Sequence, residues 1–322
     1  NPLIARALTD MGYVGAVCVD FREALTMVEN QIPLGNVGHL VQIPRAALKK
    51  ILRAKPVIVT VYTLEKAREI SAVCTELGLH QKLMLRVLGE GDMLYSGQYG
   101  GFELQELDSA VRAIEAMPNV EVGGVCSFPC FLYDEAAQDI LPMPNLRTVQ
   151  TAAEMLRARG YRDLMLNTPS ATCTHSIPMI AAAGGTHGEP GHGLTGTTPY
   201  HAGHPDAEER PGYLYVSEVS HNLGDKAYCY GGGHYRRGHM KNALVGTTPE
   251  NAKVVPVLPP DDSSIDYHFE LQQNCPVSAA AVMAFRTQFF VTRSRVAVVK
   301  GLSSGKPELA GLYSALGEPV QE

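Results

Sequence analysis

The 322-residue chain predicts an α/β protein: a (β/α)8 TIM-type barrel, its first strand missing from this chain, followed by a smaller β-rich C-terminal domain. Three observations carry that expectation. Apolar runs of strand length alternate with segments of helical period through the first half, the pattern of a parallel sheet with crossover helices. Seven such strands can be counted, one fewer than closes a parallel barrel. Past about residue 205 the runs become short, alternating and punctuated by Gly, Pro and Asp, as in an antiparallel β domain.

Each element has its own signal. "NPLIARALTDMG" (1–12) is a helix whose preceding strand is expected upstream of Asn1. "GAVCVDF" (15–21) reads as a buried strand before the helical "REALTMVENQ", and "VGHLVQ" (37–42) as a strand before a helix opened by Pro44. "PVIVTVY" (56–62) precedes "LEKAREISAVCTELG", and "KLMLRVL" (82–88) precedes a Gly-rich loop and "ELQELDSAVRAIEAM". "VEVGGVCSF" (120–128) precedes a long loop and "NLRTVQTAAEMLRARG"; "DLMLNTP" (163–169) precedes "THSIPMIAAAG", after which the last strand begins. The expected division is 1–205 for the barrel and 206–322 for the β-rich domain, where "YLYVSEVSHNL", "KAYCYGGGHY", "KNALVG", "NAKVVPVLP", "IDYHFEL", "TQFFVTR" and "RVAVVKG" read as strands.

Composition removes several classes. With 27 Lys+Arg against 33 Asp+Glu, a formal charge of -6 and a pI near 6.0, the surface is a poor match for nucleic acid. No apolar run approaches the ~20 residues of a membrane span, so a cytoplasmic protein is expected. Seven scattered cysteines fit a reducing compartment rather than a disulfide framework. Cys126 and Cys130 lack a second pair of metal-ligand spacing and read as buried thiols at a strand end.

In parallel barrels the chemistry sits at the C-terminal ends of the strands. Those ends offer His39, Tyr62, Arg86, Phe128, Asn167 with Thr168 and Ser170, and Glu189 with Gly191 and His192. Residues 184–198, "GGTHGEPGHGLTGTT", set Glu189 among six glycines and four threonines. Exposed backbone N–H groups and hydroxyls near the last two strands make an anion site, although a turn-rich surface loop has the same composition.

The strand-end "NTPSA" with "EPGHG", followed by a β domain, resembles the fold type III pyridoxal-phosphate enzymes, the alanine racemase and ornithine decarboxylase superfamily. "VGHLVQIP", "VTVYTLEKA", "SFPCFLYD" and "EPGHGLTGTTP" resemble its YhfX-type branch over nearly the full chain. The resemblance implies pyridoxal 5′-phosphate held by the backbone of Gly191 and His192 with Thr168 or Ser170, and Glu189 at the pyridine nitrogen. Asn167, His39 and Arg86 would line the cofactor. A carboxylate at that position, where racemases of the superfamily carry arginine, keeps the ring protonated and so favours strong carbanion stabilisation. The implied reaction is racemisation or lyase chemistry at the α-carbon of an amino acid or amine. The superfamily's cofactor-bearing lysine belongs to the first strand, and none of the ten lysines here falls at a strand end. The resemblance also implies a homodimer with shared sites, in which Cys229, Tyr230 or His234 of "YCYGGGHYRRGH" acts on the opposite face.

Two other readings remain at this level. Eight of the eleven histidines lie between 175 and 239, and a metal-dependent barrel hydrolase would use such imidazoles, with His201 and His204 the first candidates for an ion. A cofactor-binding protein without turnover would share the barrel but has no need of the second domain.

Overall fold

In the computed structural model, which describes residues 1–258 and 260–321, the chain opens on helix α1 (Pro2–Asp10). The Asn1 side chain caps it by accepting the N–H groups of Leu3 and Ile4 at 3.0 and 3.2 Å. Six parallel strands follow in sheet order: β1 (Ala16–Cys18), β2 (Leu34–Val37), β3 (Ile58–Val61), β4 (Gln81–Leu88), β6 (Val120–Cys126) and β9 (Met165–Asn167). Short β5 (Phe102–Glu103) pairs with β4, and β7 (Phe131–Asp134) with β8 (Asp139–Pro142) forms a hairpin inside the stretch expected to be loop. The seventh strand of the sequence reading is reduced to one parallel bridge, Asn167 to His187. The sheet curls into a half barrel, with helices in its crossovers.

Those helices are α2 (Phe21–Glu29), α3 (Arg45–Arg53), α4 (Leu64–Leu77), α5 (Leu107–Glu115), α6 (Pro144–Ala158) and α7 (Ile177–Ala182). Local chemistry fixes their ends. Asp20 caps α2 in a reciprocal box with Glu23, so the chain leaves β1 at Cys18 rather than continuing to Phe21. Gly38, at φ +93°, turns the chain out of β2 before the stretch expected to be strand. Thr63 caps α4, and left-handed Gly78 ends it. On α3, Ala47, Leu48, Ile51 and Leu52 form one buried stripe. Burying Leu48 and Ile51 completely stabilises by about 1.5–3 kcal/mol each before entropy is charged against it.

The chain divides into two compact units, Asn1–Gly191 and His192–Glu322, and the division falls at the start of the four-residue helix α8 (Gly191–Leu194). In the second unit α9 (Pro199–Gly203) is followed by β10 (Tyr215–Leu223), β11 (Lys226–Tyr230), β12 (Asn242–Gly246), β13 (Lys253–Leu258), β14 (His268–Leu271) and β15 (Ala280–Met283). They close into an antiparallel barrel in the order β10-β11-β14-β13-β12-β15. Closure pairs every edge. Val219, Cys229, Phe269, Leu271 and Met283 fill the interior. The run "TQFFVTR", expected to be a strand, holds a 3-10 turn at Phe289–Val291, while β15 and β17 (Glu308–Tyr313) were not foreseen; β17 pairs with β16 (Val296–Lys300). Among the described residues no helix is long and apolar enough to cross a membrane.

Candidate active site at the ends of the parallel strands

Strand register gathers the candidates. Arg86 on β4 pairs with Cys126 on β6, Cys126 with Asn167 on β9, and Asn167 with His187. One row across the sheet thus carries a guanidinium, a thiol, an amide and the segment leading to Glu189. His39 lies two residues beyond β2, and Tyr62 is the first residue after β3.

Glu189 is held rather than free. Asn167 Nδ2 donates to Oε1 at 2.6 Å, and the Glu189 N–H donates to Thr172 Oγ1 at 3.3 Å. Its other oxygen, Oε2, stands 3.7 Å from His39 Nε2, beyond hydrogen-bond reach. The carboxylate side chain keeps 16% of its surface exposed, so one oxygen is fixed and the other is open to a donor.

Four residues at these strand ends are buried with polar atoms that make no hydrogen bond: Asn167 Oδ1, Thr168 Oγ1, both ring nitrogens of His39, and Arg86 Nε. Each such atom costs about 1–3 kcal/mol when left unmade. Burial pushes the His39 pKa down, Glu189 pulls it up and Arg86 pushes it down again, with burial the largest influence, so the imidazole is held below its ordinary range. Phe128 meets it edge-on, with centroids 5.6 Å apart, and packs equally far from Tyr95.

Arg86 is fully buried, and among the described residues no ion pair joins it to a carboxylate. Its Nη1 donates to Tyr62 Oη at 2.8 Å and its Nη2 to the Gln98 carbonyl at 2.8 Å. Tyr62 in turn donates to the His39 carbonyl at 2.6 Å. Arg86 therefore ties the end of β2 to the Gly-rich loop after β4. Asn145 grips the same loop, accepting the Met93 N–H and donating to its carbonyl at 3.0 and 3.1 Å. Neither Asn145 nor Tyr95 was among the expected residues. The strand-end rule could have found Tyr95, whereas nothing local marks a pairing 52 residues apart.

The glycine-rich segment has two uses. A side chain on Gly185 would fall 2.6 Å from Thr168 Oγ1 and 2.7 Å from Ile180 Cγ2, so that glycine lets two segments touch. At Gly191 nothing lies within 4 Å of an added Cβ, leaving open space beside the backbone. The Gly191 N–H itself turns back to the Glu189 carbonyl at 2.9 Å. Ser170 spends its proton on the Phe131 carbonyl at 2.9 Å, which leaves Thr168 as the unpartnered hydroxyl of the pair.

Within the second unit, His192 contacts Thr197 through Nδ1 at 3.1 Å, and its pKa is lowered to about 4 by burial and by Arg286. Cys229 is wholly buried in the closed barrel, where burial raises its pKa, so it packs rather than presenting a thiol. Tyr230 is about half exposed, and His234 keeps an unpartnered buried Nδ1. His201 bonds Thr198 and Glu209 at 2.6 and 3.2 Å, and His204 bonds the Tyr200 carbonyl at 2.9 Å while stacking on its ring. Cys126 and Cys130 are buried thiols, the former pushed up to about 12.

Comparison with known proteins agrees with this architecture. The chain is 45% identical over 322 residues to the YhfX protein of Escherichia coli (strain K12), covering 99% of this chain and 83% of that one. D-threonine aldolase from Filomicrobium marinum superposes with a TM-score of 0.58 at 18% identity, over 88% of this chain and 76% of its own. Alanine racemase of Clostridium difficile 630 in complex with cycloserine gives 0.57 at 14%, over 87% and 74%. Diaminopimelate decarboxylase from Helicobacter pylori complexed with L-lysine gives 0.55 at 14%, over 88% and 76%. Residues 2–199 match the alanine racemase N-terminal domain and residues 214–309 the YhfX-like C-terminal domain; the chain belongs to the alanine racemase N-terminal-domain family.

Proposed function

We propose that the protein is a pyridoxal-phosphate-dependent enzyme acting at the α-carbon of an amino acid or amine, as a racemase or lyase. One observation carries this reading: a carboxylate with one oxygen pinned by Asn167 and the other open beside the unpartnered His39 ring, on a strand end whose Asn167 and Thr168 also keep unpartnered buried atoms. Such atoms are tolerated where a ligand completes them. The residues fit the cofactor. Glu189 Oε2 would accept the pyridine N–H, Thr168 would donate to the phosphate, and the backbone N–H of His192, with that of Gly191 once it releases the Glu189 carbonyl, would take the remaining phosphate oxygens. Ser170 already gives its proton to the Phe131 carbonyl and would assist only by releasing it. His39, Phe128 and the Arg86–Tyr62 pair would wall the ring.

Bound there, pyridoxal phosphate supplies an electron sink for negative charge at the substrate α-carbon. Glu189 holds the proton on the ring nitrogen that makes the sink effective, Asn167 keeps the carboxylate oriented, and the aromatic wall excludes water. No lysine of this chain is among the residues gathered at the site. In a homodimer with shared sites, Tyr230 or His234 would move the proton on the opposite face. Aldolase, racemase and decarboxylase relatives of the same fold support the class without selecting a substrate.

The test is α-proton exchange in deuterated water, followed by NMR across the amino acids with pyridoxal phosphate present. Exchange that falls about 10²–10⁴-fold in Glu189→Gln while cofactor stays bound is the expected result. Parallel loss of binding and exchange would make Glu189 structural.

A further inference from the structure

His39 is 2% exposed, yet neither ring nitrogen has a hydrogen-bond partner. A buried imidazole ordinarily gives its N–H to a carbonyl or carboxylate, which fixes its tautomer. Here the carboxylate beside it stops short, with Oε2 of Glu189 3.7 Å from Nε2. Glu189 is meanwhile anchored through its other oxygen to Asn167 at 2.6 Å, so Oε2 can swing toward the ring without releasing Oε1.

We infer that His39 is a positioning residue acting through Glu189: neutral, it stands beside Oε2 without occupying it, and protonated, it closes on Oε2 as an ion pair and withdraws that oxygen from a ligand. The inference rests on the reading of Glu189 as the ligand-facing carboxylate. The charged groups facing the ring are Glu189, from the segment after β9, and Arg86, from β4. Tyr62, whose hydroxyl bonds the His39 carbonyl, is pushed up by burial, and Cys126 is pushed up to about 12, so both stay neutral where His39 titrates. Glu189 alone favours the imidazolium, and burial with Arg86 opposes it. Acid therefore loads a proton onto a ring with one place to deliver it.

The test uses the full chain with ¹⁵N-labelled histidine, His39 being assigned by the signal lost in His39→Gln, or in His39→Asn should the first variant not fold. In the wild type the ring is expected to be neutral at pH 7 and to titrate below the ordinary imidazole range. In Glu189→Gln its pKa falls by about one further pH unit or more, because the carboxylate that draws the proton is gone. A pKa unmoved by Glu189→Gln overturns the inference. Pyridoxal phosphate binding, followed by absorbance, is expected to weaken below the His39 pKa by about tenfold per pH unit more in the wild type than in His39→Gln. Equal slopes also overturn it. If pyridoxal phosphate binds at no pH while the Glu189→Gln shift is present, the functional reading fails and the coupling of His39 to Glu189 stands.

Discussion

The interior of the closed β barrel and the mouth of the parallel half barrel are both buried, but they are built on opposite terms. Inside the closed barrel, Val219, Phe269, Leu271 and Met283 bury apolar surface and all six strands find two neighbours. At the mouth, Arg86, Asn167, Thr168 and His39 are just as buried, yet each keeps a polar atom without a partner. The first arrangement stabilises the fold. The second costs free energy, about 1–3 kcal/mol for each unmade bond, and persists where something other than the fold uses it.

That contrast can be broken at either end. Phe269→Ala, in the closed barrel, should cost about 3–5 kcal/mol in denaturant unfolding of the second unit. At the mouth, Arg86→Lys should cost about 1.5–3 kcal/mol, because one ammonium cannot serve both Tyr62 and the Gln98 carbonyl. Thr168→Val should leave the free protein as stable or up to about 1–3 kcal/mol more stable, since it removes a buried hydroxyl that bonds nothing in the fold. A pH-dependent effect belongs to His192. Its folded pKa of about 4 lies below the unfolded value of 6.5, so the unfolded chain binds more protons between them. Stability is therefore fully present above pH 6.5 and falls as pH drops toward 4. Thermal unfolding across that window should show the decline, and His192→Gln should flatten it.

Much of the fold was legible because parallel strands buried on both faces must be apolar runs, and all four residues of β3 are buried. The last strand was legible only as position: its Gly-rich segment has few side chains to pack, and a single bridge at His187 survives. Antiparallel texture was visible in the second half, but closure was not, because ring order depends on pairings such as β10 with β15, whose register couples Tyr215 to Met283. The strand-end rule named His39, Tyr62, Arg86, Phe128, Asn167 and Glu189, which the structure places near one another. What stayed hidden was the wiring. Arg86 was expected to line the cofactor, and only the positions of Tyr62 and Gln98 show that its fork is spent on the chain itself. Cys229 read as a reactive candidate because period-2 alternation does not reveal which face of a strand closes inward.

The central claim is that the unpartnered polar atoms at the mouth are kept for a phosphorylated pyridine cofactor. It is tested most directly by titrating pyridoxal phosphate into wild-type protein and Thr168→Val while following thermal unfolding of both. The account predicts affinity lost by about 10–100-fold, the worth of one hydrogen bond to a charged group, with the unfolding temperature of the free protein unchanged or raised. Equal affinity for the two proteins would contradict it.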